Sequence, residues 1–163
     1  MHTRLHKLIA GALIIGGVLC AHQFMYVLPL HILFAVVAVA TVVVADLHAL
    51  GWVAGKFTVL PERRLIALHD IVYGGLLGLI VTGVLMFWPL SSYLLTQPAF
   101  LIKMGFVLAL IINSVVISRH MPLAFTRSFS SLTFRERLPL FISGGISAIS
   151  WVGALTAAQF LGL

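Results

Sequence analysis

Acidic residues are nearly missing from this chain, which has four Asp and Glu against ten Lys and Arg and seven His in 163 residues. Charged residues of both signs reach only 9%, where an ordinary soluble domain carries about 25%. So few charges cannot cover a water-facing surface. The net charge of +6 therefore reflects a shortage of acids. In so apolar a chain, bases without acidic partners belong in cytoplasmic loops, which argues against nucleic acid as a partner. Cysteine is nearly absent too. Cys20 stands alone, which excludes an internal disulfide, and a thiol inside an apolar run is ordinary packing. There is no C-x-x-C-H, no H-E-x-x-H and no paired cysteine, so no short motif for covalent haem or zinc is present. Soluble domains, low-complexity segments and internal repeats are also lacking.

What the chain has in abundance is apolar sequence, 61% of all residues. A membrane-crossing helix needs about 20 mostly apolar residues. Five such stretches can be cut from residues 1–163: 8–27, 31–55, 65–88, 99–121 and 138–161. Arg4 and Lys7 before the first stretch resemble the start of a signal peptide. The run continues into Ala21-His22-Gln23-Phe24-Met25, which is no small-residue cleavage site, so it reads as a retained helix. The expectation is an all-α integral membrane protein, one domain of five transmembrane helices in a bundle.

Loop charge supplies an orientation. The N-terminal segment carries Arg4 and Lys7, the second connection Lys56, Arg63 and Arg64, and the fourth Arg127, Arg135 and Arg137. The connections at 28–30 and 89–98 carry no Lys or Arg. The positive-inside rule turns that alternation into an N-in, C-out topology. The expected location is the bacterial cytoplasmic (inner) membrane, with the lipid bilayer as the surrounding partner. Trp88, Tyr93 and Tyr26 fit an aromatic belt at the outer interface. Segment 123–137 reads equally as an amphipathic interfacial helix or a loop. Gly51 and Gly55, and Gly74 and Gly78, have the spacing that lets helices approach closely.

Ionisable residues inside a membrane are costly and mark function. By helical rise they fall into two layers. The inner layer holds Asp46, His48, His69 and Asp70, with His120 at the inner end of the fourth helix. His48 and His69 should sit about 6–10 Å inside the boundary. The outer layer holds His22, His31 and Lys103, and His22 with His31 is a candidate second site. Intramembrane imidazoles from different helices serve two chemistries: axial ligation of haem b, or direct coordination of a metal such as copper. For His31 and His120 an interfacial hydrogen-bonding role is the plainer reading, because helix ends are wet. Lys103 either snorkels to the outer headgroups or binds an anionic group such as a haem propionate or a quinone oxygen. Asn113 reads as interhelical hydrogen-bonding glue.

Several short motifs carry a family resemblance across about residues 47–140. They are Leu47-His48-Ala49-Leu50-Gly51-Trp52, His69-Asp70-Ile71-Val72-Tyr73-Gly74, Thr82-Gly83, and Gln97-Pro98-Ala99-Phe100-Leu101-Ile102-Lys103-Met104. The pattern resembles the copper-resistance D family and is similar to the HemJ-type protoporphyrinogen oxidases, small haem-b membrane bundles that rely on a His and a Lys. That resemblance implies His48 as haem ligand and Lys103 as the basic functional residue. Where HemJ-type proteins have Asn-Glu-x-Pro-Thr, this chain has Arg135-Glu136-Arg137-Leu138-Pro139, which weakens the expectation of oxidase activity.

The leading expectation is a haem-b membrane protein for electron transfer or redox chemistry, a membrane oxidoreductase if an enzyme, working with a quinone or a redox partner protein. His48, with His69 or His120, would ligate the iron, and Asp46 or Asp70 would orient an imidazole. Two alternatives stand beside it. One is copper handling or transport, with Met25, Met86, Met104 and Met121 as soft ligands. The other is a non-catalytic membrane subunit or assembly factor, in a homo- or hetero-oligomer, whose polar residues only lock helices together.

Overall fold

In the computed structural model, the backbone is described for residues 2–161 and the side chains for residues 25–161. Cys20, His22 and most of the expected first span lie outside the described side chains. The architecture is all-α: α1 (His2–Val53), α2 (Glu62–Leu94), α3 (Pro98–Thr126) and α4 (Phe134–Gln159), with a single 3-10 turn at Phe129–Ser131. Within the described residues four helices are long and apolar enough to cross a membrane: Met25–Val53, α2, α3 and α4. Their outward faces are those of a lipid-solvated protein. Val43, Leu77, Val84, Ile112, Ile149 and Val152 are each more than half exposed, while Thr82, Asn113, Ser143 and Ser150 are buried.

The main departure from the sequence reading is at Pro29. A tight turn was expected at 28–30, but α1 runs helical through it. Leu28-Pro29-Leu30 contains no Gly, Asn, Asp or Ser to make that turn. Pro29 removes one N–H from the helical ladder, a loss that membrane helices tolerate where neighbours re-satisfy the freed carbonyl. In the same way α2 continues through Pro89 and α3 through Pro122, beyond the expected ends at 88 and 121. Segment 123–137 is neither a separate helix nor a plain loop. It comprises the end of α3, the 3-10 turn and the start of α4.

The helices pack as two antiparallel pairs, α1 along α2 and α3 along α4. Small residues set the first pair. A Cβ on Gly75 would stand 2.9 Å from Ala38 Cβ, and one on Gly78 would meet the Phe34 ring. Gly74, by contrast, faces open space, so the close approach uses Gly75 and Gly78. One cluster of Ala38, Leu76, Leu110 and Trp151 joins all four helices at mid-depth. Asn113 Nδ2 donates to the Ser143 carbonyl at 3.0 Å across α3 and α4, as its place in the sequence suggests.

The two ends differ in construction. At the basic end, which carries the 54–61 and 127–133 connections, α1 closes with Gly55 in the left-handed region at φ 72°. There Lys56 N–H donates to Gly51 O and Gly55 N–H to Trp52 O, the Schellman pattern that consumes orphan carbonyls. Phe57 then folds back onto the notch at Gly51. Trp52 Nε1 donates to the Arg127 carbonyl at 3.1 Å, and Leu60 N–H donates to the Ala124 carbonyl at 2.8 Å. Arg127 reaches Glu136 at 2.7 Å, the one ion pair among the described residues. Glu136 also completes the capping box that starts α4 at Thr133. At the opposite, neutral end, α2 and α3 are joined by the three residues 95–97.

Candidate functional site

The imidazoles of the basic-end layer are held by their own helices. His48 Nδ1 lies 2.7 Å from the Val44 carbonyl, and His120 Nδ1 lies 2.8 Å from the Val116 carbonyl. A carbonyl can only accept, so Nδ1 carries the proton in both rings. A neutral His48 or His120 therefore presents a bare Nε2, the atom that ligates a metal when Nδ1–H is held by a backbone carbonyl. The His48 ring also stacks near Phe57, with centroids 6.4 Å apart.

His69 is different. Its ring meets Tyr73 edge to face, with centroids 4.5 Å apart, and its Nε2 is buried with no hydrogen-bond partner among the described residues. A buried polar atom left unpaired costs about 1–3 kcal/mol. By helical rise His48 lies about 7 Å from the end of α1 and His69 about 10 Å from the start of α2, on adjacent antiparallel helices. Asp46 is half-buried and Asp70 exposed. The ring orientation that the sequence reading assigned to these carboxylates is supplied for His48 and His120 by main-chain carbonyls instead. Among the described residues no group of three His, Cys, Asp or Glu converges as a metal-binding cluster.

The second layer lies towards the neutral end. His31 Nδ1 is 2.7 Å from Thr82 Oγ1, and Thr82 Oγ1 is 2.6 Å from the Gly78 carbonyl one turn earlier. A hydroxyl has one hydrogen, and so short a contact to a carbonyl places that hydrogen there. Thr82 must then accept from His31 Nδ1–H. This is a cross-helix relay, α1 to α2, ending on a backbone carbonyl. Lys103, near the start of α3, is half-buried. Phe87 of α2 stacks on Phe100 of α3 with centroids 5.6 Å apart, so by helical rise Lys103 and Thr82 lie within about 3 Å of one depth. His31 and Lys103 thus share a layer, while His48 lies about 25 Å along α1 from His31. Lys103 and His48 belong to separate sites.

Sequence reasoning named Thr82 only within a short motif and gave it no role. A threonine inside an apolar helix is usually bonded to its own backbone, and only the packing of α1 on α2 gives it an imidazole. Its near-complete burial, 3% exposed, has no sequence signal beyond the Gly78-x-x-x-Thr82 spacing.

A third feature is a furrow along the lipid face of α3 and α4. It comprises a cavity of about 430 Å³ between Asn113, Val116, Arg135 and Ile142, and a shallower one of about 450 Å³ at Phe106 and Ile149. The two share Ala109 and Ile146. Comparison of the chain with protein-family models, with curated proteins and with solved structures returns no match.

Proposed function

We propose that this chain is a haem-b-binding integral membrane protein that transfers electrons, set in a bacterial inner membrane with its N-terminus inside and its C-terminus outside. The observation that carries the reading is His69 Nε2, a buried ring nitrogen with no hydrogen-bond partner among the described residues, in the same layer as the bare Nε2 of His48. An unpaired ring nitrogen in an apolar layer fits an axial ligand, and the Nδ1–H bonds of His48 and His120 supply in those two rings the tautomer that ligation requires. His48 and His69 would hold the iron, with His120 as the other candidate for the second position. Bound haem supplies one-electron redox chemistry. The chain's own residues fix ring orientation through Val44 and Val116, and keep water from the site with the apolar walls of the helix pairs.

The topology rests on loop charge. Lys56, Arg63, Arg64, Arg127, Arg135 and Arg137 gather at the basic end, and residues 95–97 carry no charge. That distribution supports a cytoplasmic basic end. In this reading residues 8–27 form a further span, giving five in all and returning the N-terminus to the cytoplasmic side.

The test is a visible spectrum of protein purified in mild detergent after expression with added haem precursor. A Soret band that shifts on reduction, with about one haem per chain, is expected. His48→Ala and His69→Ala should each remove it. A purified protein with no Soret absorbance would overturn the reading.

A further inference from the structure

The neutral-end layer contains a cation that no acidic side chain of the protein can balance. All four acids, Asp46, Glu62, Asp70 and Glu136, lie towards the basic end. Along their helices, Asp46 is about 22 Å from His31 and Asp70 about 18 Å from Thr82. Lys103 forms no ion pair among the described residues. By the same rise it sits about 7 Å inside the start of α3, in a segment long and apolar enough to cross a membrane. Beside it the His31 ring is locked, because its Nδ1–H is committed to Thr82 and Thr82's own hydrogen to Gly78. A neutral His31 cannot shift that proton without breaking both bonds, so its Nε2 stays an acceptor. The layer thus offers one fixed acceptor and one cationic donor on two different helices, both half-buried.

We propose that His31 and Lys103 bind the phenolic oxygen of a membrane-soluble hydroquinone. A phenolic hydroxyl satisfies both groups with one atom: its hydrogen is donated to His31 Nε2, and its oxygen accepts from the Lys103 ammonium. A phosphate diester or a halide has no hydrogen for Nε2. An aliphatic alcohol has one, but gains little from an adjacent ammonium because it does not build up phenolate character. The aromatic body of a hydroquinone would lie against the apolar helix faces, and its tail would remain in lipid. Thr82 is a positioning residue here, acting through the His31 tautomer. The site shares no residue with His48, His69 or His120, so binding does not depend on haem. Only the use of the bound quinol as electron source rests on the haem reading.

The experiment uses the full chain in nanodiscs of neutral phosphatidylcholine, titrated anaerobically with a radiolabelled one-isoprene ubiquinol. Saturable binding of one equivalent is expected. His31→Ala and Lys103→Met should each weaken it at least tenfold. Thr82→Val should weaken it three- to tenfold, and Thr82→Ser should restore it. Ser118→Ala, on the other half of α3, should leave it unchanged. His31→Asn and Lys103→Gln stand in for any variant that fails to purify as a monodisperse protein. Non-saturable uptake by the wild-type protein, or unchanged binding in folded His31 and Lys103 variants, overturns the proposal. Displacement of the ubiquinol by phosphatidylglycerol in the nanodisc, or by inorganic phosphate, also overturns it and makes the site one for lipid headgroups or free oxyanions respectively. Loss of the Soret band with quinol binding intact would count against the haem reading alone.

Discussion

The two histidine layers are held by different means. At the basic end, His48 and His120 are pinned to carbonyls four residues earlier on their own helices, so each ring is oriented by local helical geometry and moves with its helix. At the neutral end, His31 is pinned to Thr82 on another helix, so its ring is oriented only when α1 and α2 are packed in register. A locally held imidazole keeps its orientation whatever its neighbours do. A cross-helix one reports on the packing itself. Ring orientation is therefore coupled to helix association in one layer and set within a single helix in the other.

That contrast can be broken most decisively by removing a ligand. His69→Ala should lower haem content per chain at least tenfold, measured by the pyridine haemochrome spectrum, with little change in the melting temperature of the haem-free protein, since an unpaired nitrogen is removed with the ring. Next in size is the helix contact on which the neutral-end layer depends. Gly75→Leu should destabilise the α1–α2 pair by about 1–3 kcal/mol through overpacking against Ala38, seen as a lower unfolding temperature in detergent. Gly74→Leu, one residue away and facing open space, should stay within about 0.5 kcal/mol.

Smaller effects sharpen the comparison. Thr82→Val leaves the His31 Nδ1–H without its acceptor and should cost about 1–2 kcal/mol, with Thr82→Ser recovering most of it. Asn113→Leu breaks the bond to the Ser143 carbonyl. It should cost about 0.6 kcal/mol, near the average for interhelical hydrogen bonds in bilayers, detectable by steric trapping. If Thr82→Val proved milder than Asn113→Leu, the distinction between the two layers would fail.

Much of this was legible in the sequence. Apolar run length exposed the membrane helices from α2 onwards, and their loop charges fall at one end of the molecule. Depth along each helix put His31 and Lys103 in one layer and His48, His69 and His120 in the other, because rise per residue is fixed by backbone geometry alone. Rotation about the helix axis was not legible. In a bundle whose outside is as apolar as its inside, hydrophobic periodicity carries no facing signal, and so Gly74 was chosen where Gly75 makes the contact. Thr82 was given no role for the same reason, and at His48 and His120 backbone carbonyls hold the rings. Proline was over-read as a stop, since lipid changes the cost of leaving a carbonyl free at Pro29, Pro89 and Pro122.

The hydrogen bond from Leu60 to the Ala124 carbonyl, with Trp52 on Arg127, has a consequence for how the chain is made. Residues 52–60 leave the ribosome long before residues 124–127 exist, so the first helix pair must enter the bilayer and wait with those donors facing water. The second pair then closes on the first like a book whose spine is the short 95–97 connection and whose clasp is at the opposite edge. Synthesis order thereby keeps the clasp open until α3 is complete, and a chain truncated before residue 124 is expected to insert but remain open, a natural target for membrane proteases.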